Sequence, residues 1–509
     1  MSWAGLSEGQ RHIDLFYYCS PVQDNLEMKI MIQGTEQQEA IWDEISNGNS
    51  HVMVNAGAGT GKTFTIVEAA NRIEGKKAFL AFNKSIATEL GERLPDDVYA
   101  ATFHSMGNAS IRKNLGYKKM NKWKTANIIG DVLGKDYFAM PLVKLVGFMK
   151  GALIDANDRK SILNIIDSRN IAFGSDKEEI DGINALPQIM NISKTHAQID
   201  FDDMIWLPIV LDLPMIKYDV MFVDEAQDFN EAQRQLIYRC VEPDGRCIIV
   251  GDRNQAIYAF RGADSSSMDI FAELLTKTNR EIKEFPLSLT WRCPTSVVAE
   301  ANRFVEDFHC KDDAIEGKVV VDSSLNPSKG DMVLCRYNAP LVTAFYKLIG
   351  DGKSAYIRGK DLTKGLVNSV KKISKDMSMP TQRFAELLDA DFEYRYKKLV
   401  DQEKFSQANN LEDKHECLCL FVYRADTVGG IIKEIEKVFN SDGKGDIMLS
   451  TVHKAKGLEA NNVFLLATER MPHPKAVNMK EEMNICYVAI TRAKVNLHYC
   501  GPRPASGGQ

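Results

Sequence analysis

No stretch of this 509-residue chain stays apolar for the roughly 18–20 residues that span a bilayer, and residues 1–30 lack the charged-then-apolar pattern of a secretory leader. The sequence therefore reads as a soluble intracellular protein, cytoplasmic or nuclear, with no membrane partner. Ten cysteines are present without a paired CxxC arrangement, and Cys417 and Cys419 stand too close for a zinc ribbon, so reduced, mostly buried thiols and no zinc are expected. The net charge of −6 excludes a general electrostatic attraction to nucleic acid, although a local basic track remains compatible with it. No internal repeat stands out, and the tail 504–509 has the small, polar composition of a disordered end.

What the chain does have begins at Ala56–Thr63, AGAGTGKT, which follows the apolar run 51–55 and leads into FTIVEAANRI. Strand, glycine-rich loop and helix in that order make a phosphate-binding loop. Gly57, Gly59 and Gly61, with Ala56, Ala58 and Thr60 between them, let successive backbone N–H groups turn toward phosphate oxygens. Lys62 supplies a point charge and Thr63 a hydroxyl ligand for Mg²⁺. Many enzyme classes use such a loop, so it names no reaction by itself.

The second half of the site narrows the choice. YDVMFV at 218–223 has the apolar density of a buried parallel strand and ends in Asp224 and Glu225. Asp224 can hold hydrated Mg²⁺, and Glu225 can orient and deprotonate water, a division of labour that hydrolysis of ATP requires and transfer to a substrate hydroxyl does not. Strand-like runs at 51–55, 77–82, 98–102, 219–224 and 246–250 alternate with helical stretches and predict an α/β fold with a doubly wound parallel sheet. A second such sheet is predicted from 285–289, 331–335, 354–358, 446–451, 462–467 and 495–500.

Further along, TEQQ at 35–38, AFNKSIA at 81–87, ATFHSMG at 101–107, FDDM at 201–204, DEAQD at 224–228, GDRNQAIYAFRGA at 251–263, LTWRCP at 289–294, STVHKAKGLE at 450–459 and YVAITRAK at 487–494 appear in one order. Together they resemble the motif series of superfamily-one DNA helicases of the UvrD/Rep type, with particular similarity to the helicase part of F-box DNA helicases. That resemblance implies two RecA-like P-loop domains that bind ATP and Mg²⁺ between them. It places Gln37 on the adenine edge and Trp291 in the adenine-stacking position, where a core tryptophan is the plainer reading. Arg292 and Arg492 fall on the two arginines that reach the γ-phosphate, where a surface ion pair is the alternative. Gln255 matches the γ-phosphate sensor, while Gly457 and Glu459 match the ribose-contacting segment.

On the DNA side the resemblance implies base stacking by Phe260 beside Arg261, and contacts from Phe82, Asn83, Thr102, His104, Tyr258, Thr451 and His453. A histidine taken alone is more often a structural hydrogen-bonding group. One further segment, IRKNLGYKKMNKWKT at 111–125, interleaves Arg112, Lys113, Lys118, Lys119, Lys122 and Lys124 with Tyr117 and Trp123 and contains no acid. It suits single strands or a duplex junction, or equally a solvated helical face with core aromatics.

The resulting organisation has an N-terminal extension over 1–30 and a first motor domain over 31–104 plus 197–284. A helical insertion over 105–196 interrupts it. The second motor domain covers 285–375 plus 441–503, interrupted by a short helical insertion over 376–440. The expected function is that of an ATP-dependent DNA helicase moving 3′ to 5′ on single-stranded DNA and opening junctions, with partners in replication or repair. A translocase that does not unwind, or a nucleotide-switched subunit of a larger repair or nuclease assembly, are the alternatives.

Overall fold

The computed structural model describes residues 33–81, 84–134, 139–169, 171–258, 266–439, 445–476 and 478–506. The expectations for Phe82, Asn83, Phe260, Arg261, the 1–30 extension and the last three residues of the tail lie outside these.

A six-stranded sheet runs in the order Val98–Thr102, Lys77–Ala81, Tyr218–Val223, Val241–Gly251, His51–Ala56, Ile282–Leu287. Every pairing in it is parallel, so helices cover both faces and its central strands are apolar almost throughout. The second six-stranded sheet has the order Lys318–Val320, Ala493–Tyr499, Ala460–Leu466, Met332–Cys335, Ile447–Thr451, Ala355–Ile357, and it too is wholly parallel. These two sheets with their helices are called the first and second lobes below.

Two differences from the predicted sheets have simple causes. The run expected at 285–289 in the second sheet is instead Ile282–Leu287, the edge strand of the first, with Phe285 beside Val54. Its apolar character marks a strand but carries no information on which sheet receives it. Strand Lys318–Val320 was not anticipated because it is only three residues long and no more than half-buried.

His51 shows how the first lobe treats a polar group. Its Nδ1 accepts from the Cys247 N–H at 2.9 Å, Nε2 faces the Thr278 hydroxyl at 2.8 Å, and the ring is fully buried. Burial, followed by the charges of Arg280 and Arg246, pushes this imidazole down from 6.5 to about 4. The folded state therefore keeps His51 neutral where the unfolded chain takes a proton. Its contribution is complete above pH 6.5 and is lost as pH falls toward 4, a change of roughly 3 kcal/mol at most. The melting midpoint of the parent is expected to fall more between pH 7 and 5 than that of His51→Gln; equal slopes would remove His51 as the cause.

The first insertion is built from helices Phe103–Leu115, Lys124–Leu133, Met140–Ala152, Arg159–Ser168 and Asp176–Thr195. Helix Phe201–Val210 joins it to the first lobe by using two faces. Ile205 and Ile209, one turn apart, enter the sheet's core, while Trp206 and Leu207 enter the core of the insertion. At its N-terminus Asp200 and Asp203 form a reciprocal capping box. The same two carboxylates meet Lys124 (Asp203, 2.6 Å) and Lys150 (Asp203, 2.8 Å; Asp200, 3.2 Å), in a cluster whose lysines are completely buried. Burial pulls the Lys150 ammonium down, but Asp203 and Asp200 outweigh it and the net direction is up. Removing one cation strands buried negative charge, so Lys150→Met is expected to cost about 3–5 kcal/mol of stability by chemical denaturation. A cost under about 1 kcal/mol would show the cluster to be solvated in solution.

Among the described residues the second insertion shares its core with the second lobe. Phe384 and Leu388 of helix Thr381–Asp401, Cys417 and Phe421 of Phe405–Val422, and Ile431 and Ile435 of Val428–Phe439 share one hydrophobic cluster with Val333, Cys335 and Leu449 of the second sheet.

Candidate nucleotide and DNA site

The loop between strand His51–Ala56 and helix Lys62–Asn71 lies where the two lobes meet. Gly59 and Gly61 have φ values of 70° and 84°, a region that side chains with a Cβ rarely adopt. At Gly59 a Cβ would also stand 2.5 Å from Arg292 Cβ of the LTWRCP segment, so the glycine is what lets that arginine approach. No side chain caps the N-terminus of helix Lys62–Asn71. Its first-turn N–H groups lack intrahelical acceptors, and with the helix dipole they form a cradle that suits a phosphate chain. Lys62 Nζ donates to the Ala56 and Gly57 carbonyls at 3.2 and 3.3 Å and lies 3.9 Å from Asp252.

Strand Tyr218–Val223 delivers Asp224 and Glu225 beside this loop, with Glu225 at a φ of 56°. Burial first, then the Glu225 charge, raises Asp224 above the usual carboxylate range. Glu225 goes the other way: burial opposes its ionisation, but Lys456 and Lys62 outweigh that and hold it low. Asp252, which accepts from Gln255 Nε2 at 2.7 Å, is raised by burial. Burial raises two of these three acids, Asp224 and Asp252, which a divalent cation beside Asp224 would relieve, and the Thr63 hydroxyl offers a neutral oxygen ligand for it.

The second lobe reaches into this arrangement at several points. Tyr487 Oη accepts from the Ala58 N–H at 2.8 Å and lies 3.5 Å from Asp252, with the ring fully buried. Thr290 Oγ1 donates to the Ala58 carbonyl, and the Trp291 N–H donates to the Gly59 carbonyl. Lys456 Nζ bonds Asp228 at 2.6 Å and the Gln255 carbonyl at 2.9 Å, and lies 3.8 Å from Glu225. Neither Tyr487 nor Lys456 was singled out in the sequence, although both sit inside quoted motifs. A buried lysine between two sheets has no signature in a linear string.

The remaining predicted residues fall as follows. Gln37 is held by helix Glu36–Asn47, which Thr35 and Gln38 cap reciprocally, and its amide both donates to and accepts from Ser288 at 2.9 Å. Trp291 is 55 % exposed, which removes the core-tryptophan reading, and Lys311 Nζ stands 5.9 Å from its ring centroid. Arg292 pairs with Glu459 at 2.6 Å, and Gly457, at a φ of 81°, makes the turn just before it. Arg492 is 1 % exposed and donates to the Val488 and Leu458 carbonyls and the Thr491 hydroxyl, so it is no surface ion pair. Burial, then Arg292, pushes it down to about 10, which still leaves it charged at neutral pH.

For the DNA-side residues the structure supplies local roles. Thr102 caps helix Phe103–Leu115 with Ser105, and the His104 ring meets Phe201 edge-on at 6.0 Å. Tyr258 donates to the His453 carbonyl at 3.0 Å, joining the lobes, and Thr451 is the N-cap residue of the short helix Val452–Ala455. In the basic segment Tyr117 and Trp123 are 75 % and 57 % exposed, with Arg112 and Lys122 over their rings at 5.4 and 5.3 Å. These aromatics are therefore surface groups and not core. Lys124 is a correction to that segment: it is buried on Asp203 and cannot face a ligand.

The UvrD/REP helicase N-terminal domain model matches residues 35–275, and the UvrD-like helicase C-terminal domain model matches 264–500. This chain belongs to the UvrD/Rep helicase family. Among relatives of this UvrD-like chain, F-box DNA helicase protein 1 of Schizosaccharomyces pombe is 26 % identical over 91 % of the chain and 57 % of its own length. The ATP-dependent DNA helicase PcrA of Bacillus subtilis is 22 % identical over 91 % of the chain and 82 % of its own length. F-box DNA helicase 1 of Gallus gallus is 25 % identical over 90 % of the chain and 48 % of its own length. The chain thus spans about half the length of these F-box relatives. Among the described residues no helix is long and apolar enough to cross a membrane.

Proposed function

We propose that the protein is an ATP-driven DNA motor that moves along single-stranded DNA, 3′ to 5′, and separates strands at a junction. The observation that carries this reading is the convergence of second-lobe groups, Tyr487, Thr290, Arg292 and Lys456, on the phosphate loop and acid pair of the first. A triphosphate there touches both lobes, so its hydrolysis changes how they grip each other.

In this mechanism the loop N–H groups and Lys62 bind the phosphates, Gln37 reads the adenine edge and Trp291 stacks on the base, with Glu459 at the ribose. Bound Mg²⁺, held by Thr63 and Asp224, would neutralise phosphate charge and orient the oxygens. Glu225, kept ionised by Lys456 and Lys62, takes the proton of the attacking water. Arg292 and Arg492 bring cations to the charge that develops on the γ-phosphate, and Gln255 reports its presence. Tyr258 meets the His453 carbonyl across the lobes, so lobe motion that breaks this bond displaces one DNA grip relative to the other. Phe260 and Arg261 would contribute base stacking to that grip, alongside His104 and Thr451.

Tyr117 and Trp123 extend the contact beyond the motor lobes. Stacking is worth roughly 1–3 kcal/mol per base, so the double variant Tyr117→Ala, Trp123→Ala is expected to bind DNA at least about tenfold more weakly by fluorescence anisotropy. Unchanged affinity would assign these rings to another partner. A second reading, translocation without unwinding, is favoured by a second insertion that is folded into the second lobe's core. Comparing single-strand translocation with fork unwinding separates the two, and a strand-displacement reaction that works only with a 5′ tail would overturn the polarity. Partners from replication or repair belong to this proposal and would appear on mass spectrometry of the purified complex.

A further inference from the structure

Three side chains in the second insertion take no part in the nucleotide or DNA reading. Helix Phe405–Val422 carries His415 and Cys419 four residues apart, on one face. Helix Thr381–Asp401 packs beside it, and its Asp389 Oδ1 lies 2.8 Å from His415 Nε2. Cys419 Sγ is 3.7 Å from the same nitrogen and 3.9 Å from Nδ1. The three donor atoms all fall within 4.8 Å of one another. Phe392 stacks on the imidazole at 4.1 Å and 19°.

We propose that Asp389, His415 and Cys419 form a binding site for a zinc-type divalent cation that clips these two helices together. The donors of a tetrahedral site with bonds of about 2.0–2.3 Å stand roughly 3.3–3.8 Å apart. The histidine–cysteine separation has that value, but the sulfur is almost equidistant from the two ring nitrogens, so the imidazole must turn about its Cβ–Cγ bond to aim Nε2 at a shared ion. The histidine–aspartate pair needs to open by about half an ångström, and Asp389 sits at an exposed position where it can yield. One carboxylate, one imidazole and one thiolate select a borderline-soft ion and disfavour Mg²⁺ and Ca²⁺, which take oxygen ligands. Water completes the fourth position. On binding, the Cys419 thiol gives its proton to solvent as the metal–sulfur bond forms, and His415 carries its single proton on Nδ1 while Nε2 donates its lone pair.

The cysteine spacing carries no zinc-ribbon pattern, whereas a His–Cys pair one helical turn apart with an aspartate 26 residues upstream becomes a donor set only when two helices pack, which overturns the expected absence of zinc under this proposal. The clipped pair also reaches the first insertion, through Lys398 on Asp176 at 2.8 Å and Lys404 near Glu179 at 3.8 Å. A cation here therefore stiffens the arm that meets the first insertion, at a site separate from the magnesium ligands.

The test uses the whole chain, stripped with chelator and titrated with Co²⁺ and then Zn²⁺ in the absence of nucleotide. Expected are a thiolate-to-cobalt charge-transfer band with tetrahedral d–d bands, displacement by one equivalent of zinc, and a melting midpoint raised by zinc. Cys419→Ser loses the charge-transfer band and the zinc-dependent rise while keeping the metal-free midpoint. Asp389→Asn, at an exposed position, binds zinc at least about tenfold more weakly and serves as the readout if Cys419→Ser fails to fold. A parent without the band, a band that persists in Cys419→Ser, or unchanged zinc affinity in Asp389→Asn overturns the site.

Discussion

Arg292→Ala is expected to cut DNA-stimulated ATP turnover by roughly 10³–10⁵-fold while leaving the melting midpoint close to that of the parent. Among the described residues the ion pair of the Arg292 side chain is with Glu459, a side chain 39 % exposed, so little of the fold depends on it. Arg492 must be tested differently. Its guanidinium is buried and bonded to two carbonyls and a hydroxyl of its own lobe, so Arg492→Ala confounds catalysis with packing. Arg492→Lys keeps a cation but lacks the planar fork, and an equally deep loss of turnover with preserved folding would assign the effect to geometry. Both arginines within about tenfold of parent turnover would mean that the second lobe does not stabilise charge during hydrolysis.

Glu225→Gln is the second large effect. The carboxylate is held below its ordinary range by Lys456 and Lys62 despite burial, so it is ionised across neutral pH and available as a base. The amide keeps the shape and the hydrogen bond to Gln227 while removing proton acceptance. Turnover is expected to fall roughly 10²–10⁴-fold with nucleotide affinity nearly unchanged, measured by single-turnover hydrolysis beside a fluorescent-nucleotide titration. A parallel loss of affinity and rate would instead place Glu225 among the binding groups. Lys456→Met offers a related comparison, because it removes the cation that bridges Glu225, Asp228 and the Gln255 carbonyl.

Much of this arrangement is legible in the sequence, and the limits have physical causes. AGAGTGKT between an apolar run and a helical one reads directly, because glycine at 59 and 61 meets a backbone demand that few other residues satisfy. YDVMFV followed by two acids reads as a strand end for the same kind of reason. Parallel strands buried on both faces are nearly uniform in composition, so the sequence cannot say that Ile282–Leu287 pairs with His51–Ala56. FDDM, one member of the motif series, holds Asp203 as the centre of a buried ion cluster, a tertiary outcome that local pattern cannot distinguish from a solvated pair. Lys124 is the converse: a member of a basic run that the fold turns inward. Tyr487 and Lys456 were hidden because their importance lies in distances between lobes more than 200 residues apart in sequence.

In the proposed function a nucleotide held between the lobes drives work on single-stranded DNA. Steady-state ATP hydrolysis with and without single-stranded DNA, beside Lys62→Ala as the control for contaminating activity, tests it most directly. Strong stimulation by DNA that disappears in Lys62→Ala is expected. Hydrolysis that DNA does not stimulate in the folded protein, or stimulation that survives in Lys62→Ala, would contradict it.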